Sequence, residues 1–413
     1  MTAIQKIKGF ADLFPEDSRS FTQMEATARA TFGRYGFGEL RTPLLERTEL
    51  FAKGIGEDTD VVGKEMYTFI DRGERSLTLR PEATAGVLRA AIEAGGIEPG
   101  RATRYYTFGP MFRYERPQKG RLRQFHQINA ELIGAAEPAA DVEVILMLQD
   151  FLVSLGIADL SFELNSLGCR ECRPAYRSAL TSYFEALDAE KLCEDCCRRM
   201  HTNPLRVLDC KVPACKALVA GAPAIGDHLC DGCRDNFAAV LALVDRAGLK
   251  YSVNPRLVRG LDYYQRTTFE VTSGAIGSQT AVAGGGRYDG LVQLLGGPDA
   301  PGVGFACGME RLAMLMQKPE AAQMDFFLAV TDTREGSGAL AAALLLAHKL
   351  RSRGLSGECD YAAGSMKSRL RHAGRLNVRK CYIIGAEEFD AGQVTIKDMD
   401  GGEQLKLDLA AFD

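Results

Sequence analysis

No apolar run in these 413 residues is long enough to cross a bilayer, which excludes a helical membrane span. The first residues, MTAIQKIKGF, carry no hydrophobic stretch of the kind that directs export, so a cytoplasmic protein is expected. An excess of positive charge is also missing: 50 Lys and Arg face 54 Asp and Glu, a formal −4 at pH 7. The chain as a whole therefore announces no nucleic-acid partner, and any basic footprint has to be local. There is no internal repeat and no low-complexity tract. Tryptophan is absent, which excludes nothing about function. What remains is ordinary globular composition, 46% hydrophobic and 25% charged, in a chain too long for one core. Two or three domains are expected.

Cysteine is the exception to this plainness. Of twelve, nine fall between Cys169 and Cys233. In a reducing compartment they are not disulfides. Cys169/Cys172, Cys193/Cys196 and Cys230/Cys233 are CxxC pairs, with Cys210 and Cys215 beside them. Eight thiols at this spacing are enough for two tetrahedral zinc sites, with Cys197 left over. The competing reading is that they are small buried apolar side chains; their grouping into pairs favours structural zinc.

Along the chain, residues 18–35 carry apolar positions at helical spacing, and GFGELRTPLLERTELF reads as a short strand containing Pro43, which suits an edge or an interface. Residues 64–80 read as a hairpin around Asp71-Arg72-Gly73, followed by a helix with Pro81 near its start. Strands are expected at 104–115 and 124–134 around a polar loop, then an amphipathic helix over 139–156. The texture changes between 166 and 249 to cysteines, helical stretches and polar turns, as an insertion would. Strand and glycine patterns return over 256–308. Residues 326–413 alternate strand and helix, a small α/β domain.

Four stretches carry chemistry. In RYERPQKGRLRQFHQINAE, Arg116, Lys119, Arg121 and Arg123 crowd one loop, and the strand after it alternates strictly. Phe125, Gln127, Asn129 and Glu131 share one face; Ile128, Ala130 and Leu132 take the other. That face is a polar floor, either solvated or presented to a ligand. RGLDYYQRTTFE places Arg259, Asp262, Tyr263 and Tyr264 before a β-branched run. AGGGRYDGL has a glycine cluster that allows close backbone approach to a ligand, or forms a tight turn; it lacks the spacing of phosphate and dinucleotide loops. GVGFACGMERL is a glycine-spaced strand running into a helix that begins near Arg311.

Together, LRPEATA, FRYERPQKGRLRQFHQ, LVRGLDYY, GGGRYDGL and GFACGMERL stand in an order and spacing that closely resemble the bacterial-type histidyl-tRNA synthetases, over essentially the whole chain. RGLDYY and the Gln127/Glu131 pair resemble the histidine enzyme specifically, whereas the arginine-bearing strand pair and the glycine-to-ERL segment are shared by class II synthetases. One departure is Ala83, where that family usually has glycine; Glu82 and Thr84 flank it unchanged.

The resemblance implies an α+β fold: a class II antiparallel sheet from residues 1–165 and 250–320, a helical insertion at 166–249, and an α/β anticodon-binding domain at 325–413. It implies a homodimer with the Pro43 segment at the interface, and tRNA(His), L-histidine, ATP and Mg²⁺ as partners. Histidine would be joined to ATP as histidyl-adenylate and then passed to the tRNA. A carboxylate already ionised at neutral pH needs no base to attack phosphorus, so the demand is for fixed cations. By resemblance, Arg113 and Arg259 serve the α-phosphate and the amino-acid carboxylate, and Arg311 holds the far end of ATP. Glu115, Arg121 and Phe125 line the nucleotide. Glu82, Ala83, Thr84 and Gln127 surround the substrate ammonium. Glu131 and Tyr264 pair with the two imidazole nitrogens, which an amino acid of similar size could not do. Tyr263 and Tyr288 line the same cavity. Residues 365–380, with six Lys or Arg and no acid, suit phosphate contacts in the anticodon-binding domain or a solvated helix face.

Three rivals are weaker. Non-catalytic paralogues that sense histidine typically lose RGLDYY and the C-terminal domain, both present here. Another class II synthetase has no use for Glu131 with Tyr264. A module that only binds tRNA has no use for Arg259 and Arg311.

Overall fold

The computed structural model describes residues 3–412, apart from 58, 99, 189, 190, 211, 277–280, 333 and 362–364. The chain divides into two compact units, Met1–Pro319 and Glu320–Asp413.

The first unit is built on an eight-stranded sheet. Its centre is a continuous antiparallel run: Thr103–Phe112, Gln124–Ile133, Gly302–Gly308, Ala281–Arg287, Gln265–Thr272 and Ser161–Ser166. Two short strands extend the edges in parallel, Gly38–Glu39 on Thr103–Phe112 and Tyr251–Val253 on Ser161–Ser166, so the sheet is mixed rather than purely antiparallel. One face is covered by the helices Pro15–Arg34, Pro138–Ser154 and Asp231–Arg246. Ile128, Ala130 and Leu132 point into that core and are fully buried, as the alternation of their strand requires. The opposite face keeps its polar side chains and carries the site described below.

The Pro43 stretch is not one strand. Gly38–Glu39 joins the large sheet, while Leu45–Arg47 joins a separate three-stranded sheet with the hairpin Tyr67–Ile70 and Ser76–Leu79. Proline has no amide to donate and ends the first pairing before the second begins. The hairpin itself turns at Asp71, whose carboxylate accepts from the Gly73 and Arg75 amides. The small sheet leaves Leu44, Leu45, Phe69 and Ile70 exposed.

The cysteine-rich segment forms the helices Cys172–Glu185, Glu194–Thr202 and Pro213–Val219 before Asp231–Arg246. Its apolar side chains share a core with Leu88, Ile133, Tyr263, Tyr264 and Tyr288. Val240 and Val244 of the last helix reach the main core.

The second unit has a five-stranded sheet in the order Gly357–Cys359, Phe326–Val330, Lys380–Ile384, Gln393–Asp398, Gln404–Asp408, parallel for the first three strands and antiparallel thereafter. Helix Ala339–Ser352 covers one face against Phe326, Leu328 and Val330; helix Met366–Arg375 covers the other against Phe327 and Ala329. Burial on both faces explains why FFLAV is apolar at every position.

Candidate active site

The polar face of the sheet forms the floor of a cavity of about 700 Å³, within the range of small-molecule sites. Strand Gln124–Ile133 contributes Phe125, Gln127 and Asn129 to its lining, and Gln265–Thr272 contributes Glu270. Glu82, Thr84, Arg113, Glu115, Arg121, Arg259, Tyr263, Tyr264 and Arg311 also line it. Residues as far apart in sequence as Glu82 and Arg311 thus meet in one place. Three expected residues do not reach the lining: Ala83, Glu131 and Tyr288 lie behind it, each at most 1% exposed.

Three arginines are held in distinct ways. Arg113 donates from Nε to the Pro81 carbonyl at 2.8 Å and lies over the Phe125 ring at 5.4 Å. Arg259 donates to Glu270 at 2.8 Å and faces the Tyr264 ring at 5.6 Å. Burial works against its charge, but Tyr264 and Glu270 outweigh that and hold its pKa above the usual value. Arg311 donates to the carbonyls of Gly120 at 3.1 Å and Ala281 at 2.5 Å, tying the cationic loop to helix Met309–Ala313; burial lowers its pKa. This helix starts two residues before Arg311, and Glu310 within it accepts from the His126 amide and ring. Arg121 pairs with Glu115 at 2.5 Å.

The glycine cluster is a strand, Ala281–Arg287, not a turn. A methyl group at Gly284 would overlap the Arg259 guanidinium, and one at Gly304 would overlap the Glu131 carboxylate. The glycines make room for neighbouring functional side chains, which is a close approach of another kind than the one expected. Arg287 of the same motif is structural: fully buried, it pairs with the equally buried Asp141 at 2.5 Å.

At the inner end, both carboxylate oxygens of Glu82 accept backbone amides, Thr84 and Ala85 at 2.8 Å each, and so cap helix Thr84–Glu93. Burial raises its pKa against those bonds. Glu131 accepts from the Thr84 hydroxyl at 2.7 Å and the Tyr288 hydroxyl at 2.8 Å. Burial pushes its pKa up to about 8, against the pull of those two donors. Tyr263 stands between Tyr264 and Tyr288, with ring centroids 4.6 and 6.0 Å away. In front of this wall, Gln127 Oε1, Asn129 Oδ1 and Arg259 Nε are buried without a hydrogen-bond partner among the described residues. Buried polar atoms are normally satisfied, so this concentration marks where a ligand's polar groups fit.

Sequence reasoning missed Glu270 and Glu310 as site residues. Both stood inside quoted motifs. Glu270 was recoverable from alternation, because Phe269 and Val271 on either side face the core. The eight paired cysteines meet as two groups, Cys169, Cys172, Cys230, Cys233 and Cys193, Cys196, Cys210, Cys215. In the basic stretch Arg369 is buried and pairs with Asp360 at 2.9 Å, while Lys367, Arg371, Arg375, Arg379 and Lys380 are exposed.

A family model described as histidyl-tRNA synthetase matches residues 9–312. The chain belongs to the histidyl-tRNA synthetase family. A second model, the anticodon binding domain, matches residues 328–412. Histidine–tRNA ligase of Maridesulfovibrio salexigens is 63% identical over 406 residues, covering 98% of both chains. That of Geobacter metallireducens is 51% identical over 403 residues, covering 97% of this chain and 96% of its own. The crystal structure of apo S. aureus histidyl-tRNA synthetase superposes with a TM-score of 0.78 at 35% identity, covering 99% of this chain and 98% of that one.

Proposed function

We propose that the chain joins L-histidine to tRNA(His) in two steps within this cavity. A histidine carboxylate oxygen attacks the α-phosphorus of ATP, the bond to the β,γ-pyrophosphate breaks, and histidyl-adenylate forms. A ribose hydroxyl at the 3′ end of the tRNA then attacks the histidyl carbonyl, and AMP leaves. The observation that carries this reading is the convergence of Arg113, Arg259 and Arg311 on one cavity whose floor presents the unpartnered Gln127 and Asn129 carbonyls.

Arg113 and Arg259 neutralise the two anions that must meet, and they are fixed before the substrates arrive, which is where electrostatic catalysis gains most. Arg259 does so from a pairing with Glu270 that sets its direction. Phe125, under the Arg113 guanidinium, offers a face for the adenine; Glu115, Arg121 and Arg311 hold the rest of the nucleotide. Mg²⁺ suits the oxygen donors of Glu115 and Glu270 in the same cavity and would offset phosphate charge. Glu82, Thr84 and Gln127 take the substrate ammonium, with the small Ala83 packed behind them. Glu131 lies directly behind Thr84; an imidazole N–H that replaces the Thr84 hydroxyl keeps it paired, and Tyr264 serves the other nitrogen. Tyr263 and Tyr288 close the wall.

Residues 1–165 and 250–320 are the activating part, 166–249 the insertion, and 325–413 the tRNA-reading part, with Lys367, Arg371 and Arg375 exposed for phosphate contacts. A homodimer is supported by the exposed apolar residues of the small sheet beside Pro43. The test is transfer of labelled histidine to tRNA(His) in the presence of ATP and Mg²⁺. Acid-precipitable label that depends on ATP is expected; none, with folded dimeric protein, refutes the proposal.

A further inference from the structure

We infer that residues 169–233 bind two zinc ions, each in a closed shell of four cysteine thiolates. The outer site is Cys169, Cys172, Cys230 and Cys233; the inner site is Cys193, Cys196, Cys210 and Cys215. The inner site is nested in the chain between the two halves of the outer one, a partition that spacing alone leaves open.

The geometry is that of a tetrahedral metal. Within each group all four sulfurs lie within 4.8 Å of one another. Cys169 Sγ is 3.7 Å from Cys172 Sγ and 3.9 Å from Cys230 Sγ, and Cys193 Sγ is 3.8 Å from Cys210 Sγ. A tetrahedron with Zn–S bonds of about 2.3 Å has edges of about 3.8 Å. Disulfides need about 2.05 Å and are excluded. An iron–sulfur cluster divides its four thiolates among two or four irons and spreads them further than one shared ion does. The donors are all soft sulfur, which suits zinc and not Mg²⁺ or Ca²⁺.

Both sites have the same supporting bond. The Cys230 amide donates to Cys172 Sγ at 3.2 Å, and the Cys193 amide donates to Cys215 Sγ at 3.1 Å. Such N–H donors stabilise thiolate charge and orient the ligand. Four protein ligands leave no open position, so the ions are structural.

Their placement explains what they stabilise. Arg173, next to Cys172, donates to the carbonyls of Asp262, at 3.2 Å, and Tyr264. Asn203, at the end of the helix that carries Cys196, donates to the Asp262 carboxylate at 3.0 Å. Arg206, four residues before Cys210, donates to the Arg259 carbonyl at 3.1 Å. The two sites thus anchor the donors that brace residues 259–264 from behind. This inference stands on the sulfur geometry and does not require the enzymatic reading.

The test is elemental analysis of the full-length protein purified without chelator, with X-ray absorption at the zinc edge. Two zinc per chain, each with four sulfurs at about 2.3 Å, is the expected result. Well under one zinc per chain, iron in its place, or nitrogen and oxygen in the shell overturns it. The double variant Cys210→Ser/Cys215→Ser should retain one zinc with an all-sulfur shell; retention of two, or of none in soluble protein, overturns the partition. Should that variant be insoluble, the wild-type stoichiometry and shell decide.

Discussion

Replacing Glu131 by glutamine removes a group whose ionised form the fold disfavours, so that folding no longer requires proton uptake, while keeping the shape of the side chain. Burial holds the Glu131 carboxyl at about 8 rather than 4.5. A raised carboxyl pKa means that ionisation costs the folded state. The penalty is absent below about pH 4.5, grows as pH rises through the window from 4.5 to 8, and is complete above it. A tenfold change in proton affinity corresponds to about 1.4 kcal/mol, so the full penalty is about 5 kcal/mol and that at neutral pH about 3. Glutamine escapes it but offers one acceptor oxygen where the two carboxyl oxygens face Thr84 and Tyr288, and loses about 1 kcal/mol for the hydroxyl that must turn away. Glu131→Gln should therefore stabilise the protein by about 2 kcal/mol at neutral pH and by almost nothing near pH 5. For a unit spanning Met1–Pro319, 1 kcal/mol corresponds to about 1.5 °C in Tm. The assay is thermal unfolding of both proteins from pH 5 to 8.5, beside histidine-dependent pyrophosphate exchange. The variant should gain about 3 °C at neutral pH and lose at least ~10² in kcat/KM for histidine. A Tm difference that is the same at every pH refutes the electrostatic reasoning; unchanged histidine kinetics refutes the placement of Glu131 at the imidazole.

Four further outcomes are expected. Arg259→Ala should slow single-turnover adenylate formation by ~10²–10³ with much smaller loss of histidine binding, because the guanidinium aids charge that builds during attack; lysine should rescue only in part. Gly284→Ala, whose methyl meets the Arg259 guanidinium and displaces it from Glu270, should leave Tm nearly unchanged yet reproduce much of that rate loss; a wild-type rate contradicts the role assigned to the glycine. Asp141→Ala leaves the buried Arg287 with Asp289 at 3.3 Å and the Ala135 and Glu137 carbonyls but without its nearest carboxylate, so denaturation should report a loss of about 3 kcal/mol, and a loss under 1 contradicts the reading of that pair. Removing residues 325–413 should spare histidine-dependent exchange while abolishing tRNA charging; loss of exchange from folded, dimeric protein would show that the two parts do not divide the labour.

Much of this was legible along the chain because its signals are local. The alternation from Phe125 to Leu132 separated core from floor within one strand, and the CxxC pairs announced themselves by spacing. Other features depend on contacts that no local pattern encodes. Which cysteine pair joins which is settled only when 230 and 233 fold back onto 169 and 172. The glycines of 284–286 look like a turn because glycine is poor in strands; they form one because Arg259 and a neighbouring strand need the space. Pro43 divides two sheets, since a single missing amide ends a pairing without saying where the next begins. Arg369 sat among exposed cations by sequence, but a helix has an inner face and Asp360 lies beneath it. Glu131 was expected at the imidazole; its engagement by Thr84 and Tyr288, residues 47 and 157 positions away, is a tertiary fact.

The most direct test is pyrophosphate exchange into ATP, measured with each of the twenty amino acids in turn. It isolates activation from tRNA transfer and asks the cavity alone which amino acid it accepts. Exchange should require L-histidine, with every other amino acid near background, if Glu131 and Tyr264 take the two imidazole nitrogens as proposed. Equal exchange with a second amino acid, or none with histidine from folded protein, contradicts the site.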